Sequence, residues 1–249
     1  MVLLRHGRLA LTVAVFLSAL ACRGVMPRYY EYEEELYLAL DGSATLYVNG
    51  SIPALVALRG LDLDPAPGAR LDREVLREAY SSPATRVRRV STSRRAGRRF
   101  AHLRIHVSDV RRLGEAGPLA WSTYTVQRGE DVVVFKQNVG PSTGRPVGDV
   151  GWTGAERVAF RLHLPSKIQY HDAPSKEVER GNIVAWEQSL RDRLAGRPLS
   201  IEVRIDTQSI LYRTLWLFGS MILLVAALFG VVIWWVMRKG RASRAAPVP

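Results

Sequence analysis

From residue 30 the chain alternates. Tyr30, Tyr32, Leu36, Leu38 and Leu40 are separated by Glu31, Glu33, Glu35 and Ala39, a period of two that predicts a strand with one wet face. Asp41-Gly42 turns it into a second strand carrying Ala44, Leu46 and Val48. Ser51 and Pro53 then open a short helix, "IPALVALRG", closed by Gly60. Asp72 caps a second, "REVLREAY", expected to turn Val75, Leu76, Ala79 and Tyr80 inward. Strands over 85–93 and 98–107 are joined at "RRAGR" as a hairpin, and Ser108 and Asp109 cap a helical turn. A further hairpin over 122–128 and 131–137 precedes the Gly- and Pro-rich linker "VGPSTGRPVGDVGWTG", after which strands begin near 158, 183 and 199. The sum is an α+β fold, mostly antiparallel sheet with two or three short helices in one domain. The run Glu33-Glu34-Glu35 reads as strand-face charge that discourages edge pairing.

The two ends are patterned differently. Residues 214–237, "TLWLFGSMILLVAALFGVVIWWVM", hold no charge and would extend about 36 Å as a helix, enough to span a bilayer with some tilt. Trp216, Trp234 and Trp235 fall where aromatic rings favour the headgroup zone. Arg238, Lys239, Arg241 and Arg244 follow with no acid, so the positive-inside bias puts a tail of residues 238–249 in the cytoplasm. Residues 22–208 then form an extracytoplasmic domain and 209–237 a membrane-proximal segment with the span. At the other end, Arg5 and Arg8 precede an apolar run over 9–21 with Ala19 and Ala21 in an A-x-A arrangement, the layout of a signal peptide, residues 1–21. Cleavage after Ala21 would leave Cys22, the chain's one cysteine, first in the mature protein, as in a lipobox. Ala19 and Leu20 stand in the reverse of the usual lipobox order, so an acylated Cys22 and a cysteine beside an ordinary cleavage site both remain open. A lone cysteine forms no internal disulfide, so the domain must fold without one.

The formal charge of +12 is divided by this topology, since part of it lies in the signal and the tail. What is left is concentrated: Arg86, Arg88, Arg89, Arg94, Arg95, Arg98, Arg99, Arg104, Arg111 and Arg112 lie within a stretch whose one acid is Asp109. Outside the cytoplasm such a stretch meets phosphate on anionic lipid rather than on nucleic acid, each basic residue near such a surface contributing about 1 kcal/mol. Arg88, Arg94, Arg95, Arg98 and Arg99 are the headgroup-facing candidates, because the guanidinium fork matches phosphate geometry. A solvated strand face is the plainer alternative.

The chain's histidines and acids do not fall into a catalytic pattern. His102 and His106 sit in an alternating strand, where they share a face about 13 Å apart, too far to hold one metal ion. His163 and His171-Asp172 come with no nucleophile motif, and no Walker or dinucleotide loop is present. Asp62 and Asp64 lack EF-hand spacing and read as a surface loop. We therefore expect no enzyme activity, no catalytic residues, no cofactor and no metal.

Three segments carry a resemblance: "LYLALDGSATLYVNGSIPAL", "FAHLRIHVSDVRRLG" and the late "GNIVAW" strand, followed by a final strand and the membrane helix. In these the chain resembles the LppM-type domain of bacterial envelope proteins and lipoproteins, which also runs in the order signal, domain and single C-terminal span. The resemblance implies an α+β domain on the outer side of a bacterial cell membrane that binds lipid or glycolipid, with no catalytic residues to carry over. The alternative class is a non-enzymatic structural or assembly partner of an envelope membrane complex, docking through a sheet edge or the span. The reversed lipobox and the arginine-rich hairpin depart from the family pattern.

Overall fold

The computed structural model describes residues 30–244, so the expected signal peptide, Cys22 and the end of the tail lie outside the described residues. Among the described residues, ten strands form two sheets. In the first the order is β3 (Thr85–Arg95), β4 (Arg98–Val107), β2 (Ala44–Ser51), β1 (Tyr30–Leu38), β7 (Arg157–His163) and β9 (Ile183–Ser189). In the second it is β5 (Ser122–Arg128), β6 (Val132–Val139), β10 (Leu199–Ser209) and β8 (Ser166–His171). The pairs β1–β2, β2–β4, β3–β4, β7–β9, β5–β6, β6–β10 and β8–β10 are all antiparallel. The sheets share one core: Tyr32, Leu36, Leu46, Phe160 and Trp186 of the first join Val133, Phe135, Ile201, Val203 and Ile205 of the second. The α+β reading and the two capped helices hold; strand β8 and the short helix over residues 190–194 are additions that the sequence pattern did not show.

Helix α1 (Ile52–Arg59) begins where the Ser51 hydroxyl accepts the Ala54 N–H and ends at Gly60, whose φ of 69° suits a left-handed cap. All eight of its residues are buried. The Gly- and Pro-rich linker covers it, with Thr143 N–H donating to the Leu58 carbonyl and Arg145 N–H to that of Val56. Gly144 makes this approach possible, because a Cβ there would overlap the Val56 and Ala57 carbonyls. Gly144→Ala is expected to lift the linker and lower stability by about 1–3 kcal/mol in urea unfolding, against no change for Gly68→Ala, where a Cβ meets nothing. Helix α2 (Arg73–Ala79) is capped by Asp72 but buries only Leu76 within the helix, with Tyr80 just beyond. Val75, expected inward, is exposed, since a helix of about two turns offers the core only a narrow face.

The acidic run also differs from expectation. Strand β1 lies between β2 and β7 and is not an edge to be guarded. Glu34 shares the inward parity of Tyr32 and Leu36 and is 4 % exposed, whereas Glu31, Glu33 and Glu35 project from the opposite face.

Strand β10 runs directly into a long helix, Ile210–Arg244, whose residues 210–238 are long and apolar enough to cross a membrane and are not buried by the domain. At this junction Ile210 N–H donates to the Pro165 carbonyl and Thr207 N–H to that of Asp131. Arg128 reaches the Leu40 carbonyl and Val110 N–H that of Gly42, so the turns near 40, 109, 130 and 165 all gather at the helix end of the domain. The β3–β4 turn at Ala96-Gly97 lies at the other end, separated by the length of β4, about 30 Å.

Candidate functional site

Strand β3 does not alternate cleanly: Val87 and Val90 are both buried, three apart rather than two. A bulge between Val87 and Arg89 absorbs the extra residue and leaves Arg88 and Arg89 exposed side by side. Across the ladder Arg86 faces His106, Arg89 faces Arg104 and Ser91 faces His102, while β2 contributes Thr45, Tyr47 and Asn49 to the same outer surface.

These residues enclose two adjoining clefts. One of about 350 Å³ is lined by Tyr47, Arg89, Ser91, His102 and Arg104. The other, about 290 Å³, is lined by Thr45, Arg88, Arg104 and His106, so Arg104 is the wall between them. Among the described residues, no acid pairs with Arg86, Arg88, Arg89 or Arg104; the Arg104 guanidinium instead lies 5.7 Å from the Tyr47 ring centre. His102 bridges Ser93 and Asn49 through its two ring nitrogens, at 2.8 and 2.9 Å. Burial first, and then the nearby Arg95 charge, hold its pKa below the usual histidine value, so the ring is a neutral strut in this wall.

Farther across the sheet, Arg161 pairs with Glu33 and Glu179 and Arg157 with Glu187, while His163 is hydrogen-bonded to Glu35. The His163 hydrogen bond, opposed by burial, holds the Glu35 carboxyl below the ordinary range. That contribution is therefore present above the unfolded value of about 4.3 and lost as pH falls through the lowered one. His163→Gln is expected to flatten the loss of stability between about pH 5 and 3, measured by urea unfolding at stepped pH. An unchanged slope would remove this pair from the acid response.

The five arginines singled out by the sequence do not form one surface. Arg88 joins Arg86, Arg89 and Arg104 in the bulged face. Arg94 opposes Arg99 and Arg95 opposes Arg98 at the hairpin tip, about 20 Å along the strands. There Arg98 is bound to Glu31 at 3.0 Å and lies under the linker near the carbonyls of Val150 and Gly151. Trp152 donates to the same Glu31. Arg95 stacks over Phe100 at 4.1 Å, and the Arg99 Nε is buried without a partner. The tip also points away from the C-terminal apolar helix, whereas the bulged cluster starts at the helix end and rises along β3 and β4. Arg89 and Arg104 were the residues to add, and the Val87–Val90 spacing is the sequence signal that marks them.

Among the described residues, no group of three His, Cys, Asp or Glu side chains could hold a metal. His102 and His106 lie in strand β4, which bears out the strand reading of that pair.

No family model matches the chain, and no curated protein matches it. Among solved structures, the chain is similar to the folded domain of LppM from Mycobacterium tuberculosis, determined by NMR, with a TM-score of 0.42 and 9 % identity over 74 % of this chain and 95 % of that one. This is the domain type that the sequence resembles.

Proposed function

We propose that the protein is a membrane-anchored, extracytoplasmic binding module of the bacterial envelope, without enzymatic activity, whose ligand is an anionic lipid or glycolipid. The observation that carries this reading is the bulged face: Arg86, Arg88, Arg89 and Arg104 converge without a carboxylate beside clefts sized for a headgroup. Guanidinium forks suit phosphate, and Tyr47 offers an apolar face to a sugar or glycerol. The basic residues after the apolar helix favour a cytoplasmic tail, which leaves this face outside and within about 10–15 Å of the helix end of the sheet.

The test is native mass spectrometry of the full chain released from bacterial membranes in mild detergent, with lipid extraction of the same sample. Retained anionic lipid supports the reading and names its class. A clean protein mass, with no gain on adding dihexanoyl phosphatidylglycerol, overturns it in favour of a structural or assembly partner, for which crosslinking in membranes is the next measurement.

A further inference from the structure

A second cationic centre lies inside the domain, unrelated to the bulged face. Arg59, at the end of α1, and Arg193, in helix α3 (Leu190–Leu194), are both fully buried. Their guanidiniums both lie over the ring of Trp121, that of Arg193 at 4.7 Å. Arg59 donates to the Tyr32 hydroxyl and to Glu34, and Arg193 to the carbonyls of Gly140 and Arg197 and to the Gln188 side chain. Glu34 is the one carboxylate paired with this cluster among the described residues. Two buried cations therefore share one buried anion.

The imbalance is not relieved by proton loss. Burial, followed by the neighbouring Arg59 charge, lowers the Arg193 pKa to about 10, which leaves it charged at neutral pH. Tyr32, which accepts from Arg59, is pushed upward by burial and stays neutral. Three donors of the cluster have no partner among the described residues although they are sealed from solvent: Arg59 Nη1, Arg193 Nε and Trp121 Nε1. An uncompensated buried cation with idle N–H groups is costly, and an anion is what such a cluster lacks.

An approach to it exists. A surface cleft of about 400 Å³ is lined by Arg59, Leu61, Val75, Ala79, Gly117 and Pro118. Arg59 itself is in its wall, and Trp121 follows the lining residue Pro118 by three positions. One wall is α2, which buries only Leu76 within the helix and so resists displacement weakly. Two acids also line this cleft, Asp62, which pairs with Arg145 at 2.9 Å, and Glu78 on α2.

We propose that this cleft leads to an internal oxyanion site, closed in this structure, in which a carboxylate or phosphate is held by Arg59 Nη1, Arg193 Nε and Trp121 Nε1. The anion comes either as a small free ion or as the polar end of a lipid-like molecule whose apolar part rests against Leu61, Val75 and Ala79.

The test uses the full chain in neutral detergent, carrying Arg88→Gln, Arg89→Gln and Arg104→Gln so that the outer face cannot report. Thermal unfolding is followed against sodium phosphate, sodium octanoate and sodium chloride at equal ionic strength. The expected result is a rise in Tm of about 3 °C or more with phosphate or octanoate over chloride. Phosphate alone assigns a free oxyanion, octanoate alone a lipid-like carboxylate, and either supports the site. Arg193→Met is expected to weaken the apparent affinity at least tenfold. Val75→Trp, which fills the cleft mouth without touching the cluster, is expected to abolish the response, and it decides alone if Arg193→Met does not fold. No rise over chloride, or a rise that survives Val75→Trp, overturns the proposal while leaving the outer-face reading untouched.

Discussion

Glu34→Ala is expected to destabilise the domain by about 3–5 kcal/mol, a large share of the 5–15 kcal/mol that holds a typical domain together. Glu34 accepts from the Arg59 guanidinium inside the sandwich, with Gln137 Nε2 of the facing sheet 3.5 Å from its other oxygen. Its removal leaves Arg59 and Arg193 buried with no counter-charge. The comparison is Glu33→Ala, one residue away on the other face, where the partners are Asn49 at 3.1 Å and the partly exposed Arg161 at 3.7 Å. That change is expected to cost about 1 kcal/mol or less. Urea midpoints of the full chain in detergent separate the two. Equal losses would mean that Glu34 is not sequestered as the packing indicates.

Neutralising the bulged face has the largest expected effect on binding. Arg88→Gln, Arg89→Gln and Arg104→Gln together remove about 3 kcal/mol of attraction to an anionic headgroup, roughly a hundredfold in affinity. The measurement is titration of the full chain, held in a zwitterionic nanodisc, with dihexanoyl phosphatidylglycerol at low salt. The wild-type affinity should fall as ionic strength shortens the reach of the field, and the triple variant should show little of that dependence. Arg94→Gln with Arg99→Gln at the hairpin tip is expected to change affinity less than about threefold, because those side chains stand apart from the clefts. A loss confined to the tip pair would move the site to the far end of the hairpin.

Much of the scaffold was legible because its signals are local. Ser51, Pro53 and Gly60 mark a helix by backbone chemistry alone, and the alternation over 30–40 marks a strand and its faces. The same alternation held one more fact: Glu34 has the parity of Tyr32 and Leu36, so a charge interrupts an apolar stripe. Its meaning depends on Arg59, 25 residues away on another element, and no local pattern supplies that pairing. Strand β8 was missed because its register against β10 shifts twice and its residues are half exposed, so no period emerges. At the candidate site the arginines were visible in the sequence, but their sorting onto different surfaces was not. That sorting comes from a single bulge and from Glu31 reaching Arg98 across 67 residues.

The direct passage from β10 into the apolar helix has a mechanical meaning. Strand β10 is flanked on both sides, by β6 and β8, so tension applied through the apolar helix would load two antiparallel ladders. Bonds perpendicular to the pull must shear together, whereas an edge strand tugged sideways would unzip one bond at a time. The apolar helix is thus joined, with no intervening loop, to a strand held on both sides rather than to an edge strand.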